Sequence, residues 1–105
     1  MSDKTYNGWS NYETWCAKLW MDNDQGTYEM HQERLEALVK EHTDADNVLD
    51  ADAVTRGLAS MLENDVEDSD MYGVIPDGML GDLLRGAIAE IDWREIADSM
   101  LGDYV

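Results

Sequence analysis

Apolar residues in this chain recur mainly at the spacing of an α-helix, and strictly alternating runs are scarce. The first such stripe consists of Tyr12, Trp15, Cys16 and Leu19. Because a helix places positions i, i+3, i+4 and i+7 on one face, this stripe predicts a helix with a buried apolar side. The S-x-x-E sequence from Ser10 to Glu13 has the form of a capping box and predicts that the helix begins there. The polar segment 23–26 predicts its end.

Two more stripes follow in the middle of the chain. The second helix is predicted to begin near Thr27 as its N-cap. Its inward positions are Tyr28, His31, Leu35, Leu38, Val39 and His42. The polar segment 43–47 is typical of a loop, and a third helix is predicted from about Asp52. Its inward positions are Val54, Leu58, Met61 and Leu62.

The last third of the chain carries two further stripes. After an acidic connector, residues 63–70, the run 71–75 favours extended chain, and Pro76-Asp77-Gly78 favours a turn. The fourth stripe is Met79, Leu80, Leu83, Leu84, Ala87 and Ile88. A D-x-x-E sequence from Asp92 predicts the start of a last helix, whose inward positions are Trp93, Ile96, Ala97, Met100 and Leu101. Together the stripes predict an all-α fold, a compact single-domain bundle of about five helices over residues 1–105.

The net charge of the chain limits the kinds of molecule that it can bind. The chain has 24 Asp plus Glu against 7 Lys plus Arg, a formal net charge of -17. A protein that binds nucleic acid or an anionic membrane directly needs a basic surface, so the charge argues against both. With 44% hydrophobic residues the chain also differs from acidic disordered tails. We therefore expect a folded domain whose partner is positively charged.

The acidic residues are concentrated in the middle of the chain. Residues 44–82 hold 11 acidic residues and one basic residue, Arg56. Their densest clusters flank the predicted third helix and comprise Asp44, Asp46, Asp50 and Asp52 before it, then Glu63, Asp65, Glu67, Asp68 and Asp70 after it. A strip of roughly 15 to 20 Å between the clusters is comparable to several phosphates of duplex DNA. These acids are therefore candidates for a DNA mimic that binds the basic groove of another protein.

Salt adaptation is the alternative explanation of the acidity. Fifteen of the acidic residues are Asp and only three residues are Lys, a bias that also suits a protein of a salty cytoplasm. Such a protein would be an interaction or assembly module without DNA mimicry. Salt adaptation spreads charge over the whole surface, however, whereas here the density is uneven. The uneven density favours the mimic.

The sequence gives little support for a catalytic or a metal-binding site. Cys16 is the single cysteine, so neither an internal disulfide nor a thiol-rich zinc site can form. His31 and His42 are eleven positions apart on one helix and cannot share a metal ion. The segment 22–26 resembles a calcium loop, but Gly26 falls at position 5 where the EF-hand requires a ligand. We predict a non-enzymatic protein with no metal and no cofactor.

Aromatic residues are dense near the N-terminus. Tyr6, Trp9, Tyr12, Trp15 and Trp20 fall within fifteen residues, and one helix face cannot bury them all. The core is the default place for Tyr12, Trp15 and Leu19. Trp20 lies one position off the stripe, so it either reaches a neighbouring helix or is a partly exposed anchor for a partner.

Two segments carry a family resemblance. Residues 7–15 read NGWSNYETW and continue to Leu19 and Trp20, and residues 91–97 read IDWREIA. Both resemble the motifs of a family of small proteins from phages, plasmids and other mobile elements, marked by NGW-[ST]-NYETW. In that setting, small acidic proteins of similar composition inhibit host defence, including antirestriction and anti-CRISPR proteins that imitate DNA.

The resemblance also implies the class of protein to which the predicted partner belongs. It implies a host defence protein with a basic nucleic-acid groove, either a CRISPR effector or a restriction enzyme. No run is apolar and long enough for a membrane span, and the first ten residues lack the pattern of a signal peptide. The expected location is therefore the host cytoplasm. A homodimer would lengthen the acidic strip, and the sequence leaves the oligomeric state open.

Overall fold

The computed structural model describes residues 6–69 and 73–104. These residues form five helices, α1 (Tyr12–Asn23), α2 (Gln25–Glu41), α3 (Ala51–Glu67), α4 (Met79–Ala89) and α5 (Trp93–Tyr104). No strand occurs in either described range, where β-type pairing is limited to two isolated bridges, Tyr6 with Trp9 and Thr43 with Leu49. The predicted all-α, single-domain bundle is confirmed.

The core lies between α2, α3 and α5. Its buried hydrophobic members are Leu35, Leu38, Val54, Leu58, Leu62, Trp93, Ile96, Ala97, Met100 and Leu101. All five inward positions predicted for α5 are confirmed. Gly57 lies where α2 and α3 approach each other, and a Cβ there would stand 3.1 Å from Leu38 Cδ2. Its low helix propensity is thus the cost of a close helix contact.

Two predicted N-caps are wrong, although α1 does begin within the predicted segment, at Tyr12. The N-cap of α1 is Asn11, whose Oδ1 accepts a hydrogen bond from the Thr14 backbone N–H at 2.8 Å. Ser10 does not form the predicted capping box, because its backbone N–H donates to Glu95 rather than to Glu13. The N-cap of α2 is Asp24, which accepts from the Thr27 N–H at 3.1 Å, so Thr27 is inside the helix.

The other two capping acids agree better with the sequence. The predicted cap Asp92 is confirmed, because its Oδ1 accepts from the Glu95 N–H at 3.0 Å. Asp50 caps α3 by accepting from the Ala53 N–H at 3.1 Å, so this helix begins one residue before Asp52. Acidic caps suit a helix N-terminus because the peptide dipoles place partial positive charge there.

The apolar stripe of α1 faces outward, which corrects the prediction that it is core. Tyr12 is 49% exposed and Leu19 is 40% exposed, while Trp15 and Cys16 are half-buried. The single fully buried residue of α1 is Thr14, and Ala17 and Met21 pack against the core beside it. These contact positions lie on the side of the helix opposite the stripe.

The apolar stripe of α4 also faces outward. Met79 and Leu80 are each 74% exposed, Leu83 is 62% exposed and Leu84 is 48% exposed, so the predicted burial of these four is wrong. Ala87 and Ile88 are half-buried. Two smaller corrections are Tyr28 of α2, 43% exposed, and Met61 of α3, 36% exposed.

The turn before α4 contacts the side of that helix that lies away from the apolar stripe. Gly81 is buried, and a Cβ on it would stand 1.8 Å from the Pro76 carbonyl oxygen. Arg85, one turn later, donates from Nη2 to the Ile75 carbonyl at 2.9 Å. The inner side of α4 is therefore defined by Gly81 and Arg85. The predicted turn is confirmed by Gly78, whose φ is +110°. In the predicted extended run 71–75, Gly73 is helical and Val74 lies in a turn, so the prediction is wrong there, and residues 71 and 72 lie outside the described residues.

Candidate functional site

The first acidic cluster lies on the ordered loop between α2 and α3. Asp44 holds this loop, because its Oδ1 accepts from the backbone N–H groups of Asp46 at 2.8 Å and Val48 at 2.9 Å. Asn47 at the tip adopts a φ of 63°, which asparagine tolerates better than most residues. Asp44 and Asp50 thus have structural roles, whereas the carboxylate of Asp46 is exposed and makes no ion pair with any described residue.

Asp52, the last acid of this cluster, is neutralised by two arginines. Arg56 Nε lies 2.9 Å from its carboxylate, and Arg94 of α5 forms a second ion pair with it. The hydrogen bond from Arg94 lowers the pKa of Asp52 below its usual range, and the charge of Arg56 adds to that effect. Asp52 therefore ties α3 to α5 and presents little net charge to a partner.

The second acidic cluster lies at the C-terminal end of α3. Asp65 receives a bidentate pair from Arg34 of α2, with contacts of 2.5 and 3.2 Å. Glu63, Glu67 and Asp68 are exposed and make no ion pair within the described part of the chain. Asp70, the remaining predicted acid, lies outside the described residues.

Helix α3 determines how the two clusters are related. It has 17 residues and is about 25 Å long, and the part from Asp52 to Glu63 measures about 16 Å, which agrees with the predicted 15 to 20 Å between the clusters. Asp52, Glu63 and Glu67 lie within about 60° of one another around its axis, because each residue turns the helix by roughly 100°. The helix thus aligns these three acids along one side, while Asp65 points toward α2.

A small cleft borders the acids of the C-terminal cluster. It has a volume of about 200 Å³ and lies between α3 and α4. Its lining includes Glu63, Glu67, Arg85, Ile88 and Trp93. The carboxylates of Glu63 and Glu67 therefore stand at the edge of a recess that contains one arginine.

The two sequence motifs meet at a joint between the N-termini of α1 and α5. Ser10 donates to Glu95 Oε1 from its backbone N–H at 3.2 Å and also from its hydroxyl. Asn11 Nδ2 donates to the Glu90 carbonyl at 2.7 Å. The Asp92 N–H donates to Thr14 Oγ1 at 2.9 Å. These motif residues thus hold α1 onto α5 and are explained by structure.

An open polar groove lies beside this joint. Its volume is about 650 Å³. The lining residues are Gly8, Trp9, Ser10, Asp92, Arg94, Glu95, Asp98 and Ser99. Arg94 is already engaged, since it pairs with Asp52 outside the groove and lies 3.7 Å from Asp98 within it. The groove offers no unsatisfied charge from these two pairs to a ligand.

An aromatic face on α1 is the second candidate surface. It consists of Tyr6, Tyr12, Trp15, Leu19 and Trp20. The rings of Tyr6, Tyr12 and Trp15 stack edge to face or tilted, with centroids 5.0 to 5.7 Å apart. Trp20 is 70% exposed, so it does not reach a neighbouring helix. Its role as an anchor stays a prediction, and the rest of the face was missed because an apolar stripe was equated with core.

Potential catalytic groups are scattered. No group of three or more His, Cys, Asp or Glu side chains that could hold a metal ion occurs in residues 6–69 and 73–104. Cys16 is half-buried. The hydrogen bond between its side chain and that of Tyr12 raises the pKa of Tyr12. His31 is 4% exposed, whereas His42 is half-buried. No helix in the described ranges is long and apolar enough to cross a membrane.

Comparison with known proteins identifies a family but not an activity. Residues 2–100 match a family of unknown function, DUF7249. The chain belongs to this family. The match includes both motifs that form the joint between α1 and α5. No curated protein and no solved structure matches the chain.

Proposed function

We propose that this protein is a non-enzymatic inhibitor carried by a mobile element, which occupies the basic nucleic-acid groove of a host defence protein as a DNA mimic. The observation that carries the proposal is the pair of exposed acidic clusters at the two ends of α3 in a chain of net charge -17. The helix between them spans about 25 Å, the axial length of about seven base-pair steps. The partner would be a CRISPR effector or a restriction enzyme in the host cytoplasm.

The ion pairs refine which acids make the contact. Asp52 and Asp65 already satisfy arginines of the same chain, so a partner would have to compete for them. The charges available to a basic groove are those of Asp46, Glu63, Glu67 and Asp68. Asp44 and Asp50 add negative charge at positions fixed by the loop and the helix cap, and Asp70 remains a predicted contact. A dense field of one sign would also steer the partner into contact.

Competition with DNA tests the proposed binding mode. Tagged protein is incubated with a host-cell lysate at about 0.15 M salt, where the Debye length is near 8 Å, and bound proteins are eluted with duplex DNA. We expect the eluate to contain a defence nuclease or CRISPR subunit. Recovery of specific partners that DNA does not displace would contradict mimicry.

Charge-matched variants then test the residues. One variant carries Asp46→Asn, Glu63→Gln, Glu67→Gln and Asp68→Asn. The control removes the same charge elsewhere, through Glu33→Gln, Glu36→Gln, Asp77→Asn and Asp103→Asn, which are also exposed. Four ion pairs of about 0.5 kcal/mol each predict a loss of affinity of roughly 30-fold for the first variant. Equal losses in the two variants would show that only net charge matters.

A salt-adapted interaction module is the second candidate function, and the exposed aromatic face of α1 favours it. Trp and Tyr are typical of interface hot spots, and Trp20 is the most exposed of these side chains. In this case Trp20→Ala would abolish partner binding while the four-acid variant would bind normally. Helix content by circular dichroism would also be low at low salt and rise strongly at about 1 M salt, where the Debye length is near 3 Å.

A further inference from the structure

Helix α4 carries an apolar face that nothing in the described structure covers. We propose that this face is the contact between two copies of the chain, which pair through antiparallel α4 helices. The face consists of Met79, Leu80, Leu83 and Leu84, with exposures of 74, 74, 62 and 48%. The proposal is independent of the function proposed for the acids.

The size of the face suits a weak dimer. Four large side chains at these exposures, with the accessible parts of Ala87 and Ile88, form a patch on the order of 500 Å². Soluble monomers rarely leave larger contiguous apolar patches exposed. Two such faces together would bury about 1,000 Å², near the lower limit of specific interfaces. We therefore expect a concentration-dependent dimer with a dissociation constant in about the micromolar range.

Charge distinguishes a second copy from a basic partner. Helix α4 contains one acid, Asp82, and one base, Arg85, so its charges balance, whereas each of the other four helices is net acidic. Both charged residues lie off the apolar face, and Arg85 bonds to the Ile75 carbonyl. Two copies would repel each other along their acidic surfaces but not along this face. A basic partner, in turn, gains no electrostatic attraction from it.

The order of side chains along α4 is self-complementary. If a two-fold axis passes between Leu83 and Leu84, these two leucines face each other across the axis. In the same register Leu80 of one copy faces Ala87 of the other, and Met79 faces Ile88. The large side chain of Leu80 thus opposes the smaller one of Ala87. An isologous contact of this kind closes as a dimer and does not propagate.

Sedimentation equilibrium of the full chain tests the proposal. Wild type is measured from about 1 to about 200 μM, a range that brackets micromolar affinity, in low salt and at about 0.5 M salt. The variant Leu80→Gln with Leu83→Gln removes apolar contact without adding charge. The control Val48→Gln changes an apolar side chain that is 61% exposed on the loop before α3. Circular dichroism verifies that each variant keeps its helix content.

We expect wild type and Val48→Gln to reach twice the monomer mass, more readily at high salt, and the α4 variant to remain monomeric. At least a tenfold rise in dissociation constant is expected for the α4 variant. A wild type that is monomeric at the highest concentration would overturn the proposal. A dimer that survives the α4 substitutions, or that Val48→Gln disrupts equally, would overturn it as well.

Discussion

Helices α4 and α5 carry similar apolar stripes but use them differently. The five inward residues of α5 are at most 9% exposed, whereas the four leading residues of α4 are 48 to 74% exposed. Periodicity therefore establishes that a helix has an apolar side but not that the same chain covers it. Helix α1 belongs with α4, because its stripe also faces outward. The protein thus combines a small closed core with two open apolar faces.

The difference comes from what positions each helix. Helix α5 packs along α3 and is capped by Asp92. Helix α4 is positioned by contacts at its other side, where Gly81 approaches the Pro76 carbonyl. A chain of 105 residues can bury only a small core. That core does not have enough surface to cover the apolar stripes of all five helices.

The largest effect is expected when the same substitution, Leu to Ala, is made in the closed core and on the open face of α4. Leu58→Ala, at a fully buried position of α3, should lower the free energy of unfolding by about 3 to 5 kcal/mol. Leu83→Ala on α4 should lower it by less than about 0.5 kcal/mol. Urea unfolding followed by circular dichroism at low concentration measures both. If Leu58→Ala does not fold, Ile96→Val should still show a loss of about 1 kcal/mol. Equal losses at Leu58 and Leu83 would mean that α4 is covered in solution.

A second test concerns the one fully buried residue of α1. Thr14→Val keeps the shape of the side chain but removes the acceptor for the Asp92 N–H, which should cost about 1 to 3 kcal/mol. Thr14→Ser keeps the hydroxyl and should retain the hydrogen bond. Hydrogen exchange at the Asp92 amide provides the local readout, with faster exchange expected in Thr14→Val alone. Unchanged exchange would show that α1 does not depend on this contact.

The third test uses pH. Burial lowers the pKa of His31, and Arg34 on the same helix adds to this, while Asp65 of α3 and Asp22 of α1 oppose it. Neutral His31 is therefore preferred in the fold, and its stabilising effect is complete above the unfolded pKa of about 6.5. It is lost as pH falls from there through the folded pKa, by at most about 1.4 kcal/mol per pH unit.

His31→Gln isolates that effect from the other titrating groups. Wild type should lose stability relative to His31→Gln as pH falls from about 7 to about 5, because only wild type takes up this proton. Thermal unfolding at each pH measures the difference, and His42→Gln serves as the control at a half-buried histidine. Parallel pH profiles for wild type and His31→Gln would contradict the prediction.

The smallest test concerns the ion pair that joins α3 to α5. An NMR titration of the Asp52 carboxyl group should give a pKa below its usual range. Arg94→Gln should raise that pKa toward the usual range. Arg56→Gln should raise it less, because the hydrogen bond from Arg94 is the main cause. The contribution to stability is present above the usual pKa near 3.9 and is lost as pH falls through the folded pKa. A greater effect of Arg56→Gln would mean that the ion pair within α3, and not the one between α3 and α5, mainly lowers the pKa of Asp52.

Sequence periodicity predicted the fold class and nearly all of the core. The inward positions of α5 and three of the four in α3 are confirmed because those helices do pack by their apolar stripes. The joint between α1 and α5 was not predictable, since Ser10 and Glu95 each belong to a sequence that resembles a local capping box. Their actual bond links residues 85 positions apart.

The state of the candidate acids was equally hidden in the sequence. Asp52 and Asp65 look like any other members of their clusters, but Arg94 and Arg34 neutralise them from helices distant in the chain. Only Arg56, four positions from Asp52, was within reach of a helical pairing rule. Local spacing therefore located the clusters, and tertiary packing decided which charges stay available.

The joint between α1 and α5 also determines when the protein can finish folding. Ser10, Asn11 and Thr14 bond to partners 85, 79 and 78 positions later in the chain. During synthesis those partners are made after α2, α3 and α4, so α1 is joined to α5 only when all of the helices between them have been made. Until then the helices between them can form, and α1 can pack against α2 without its bonds to α5. A chain truncated before Asp92 would keep the packing of α1 on α2 but would lose the hydrogen bonds of Ser10 and Thr14 to α5 and its cap.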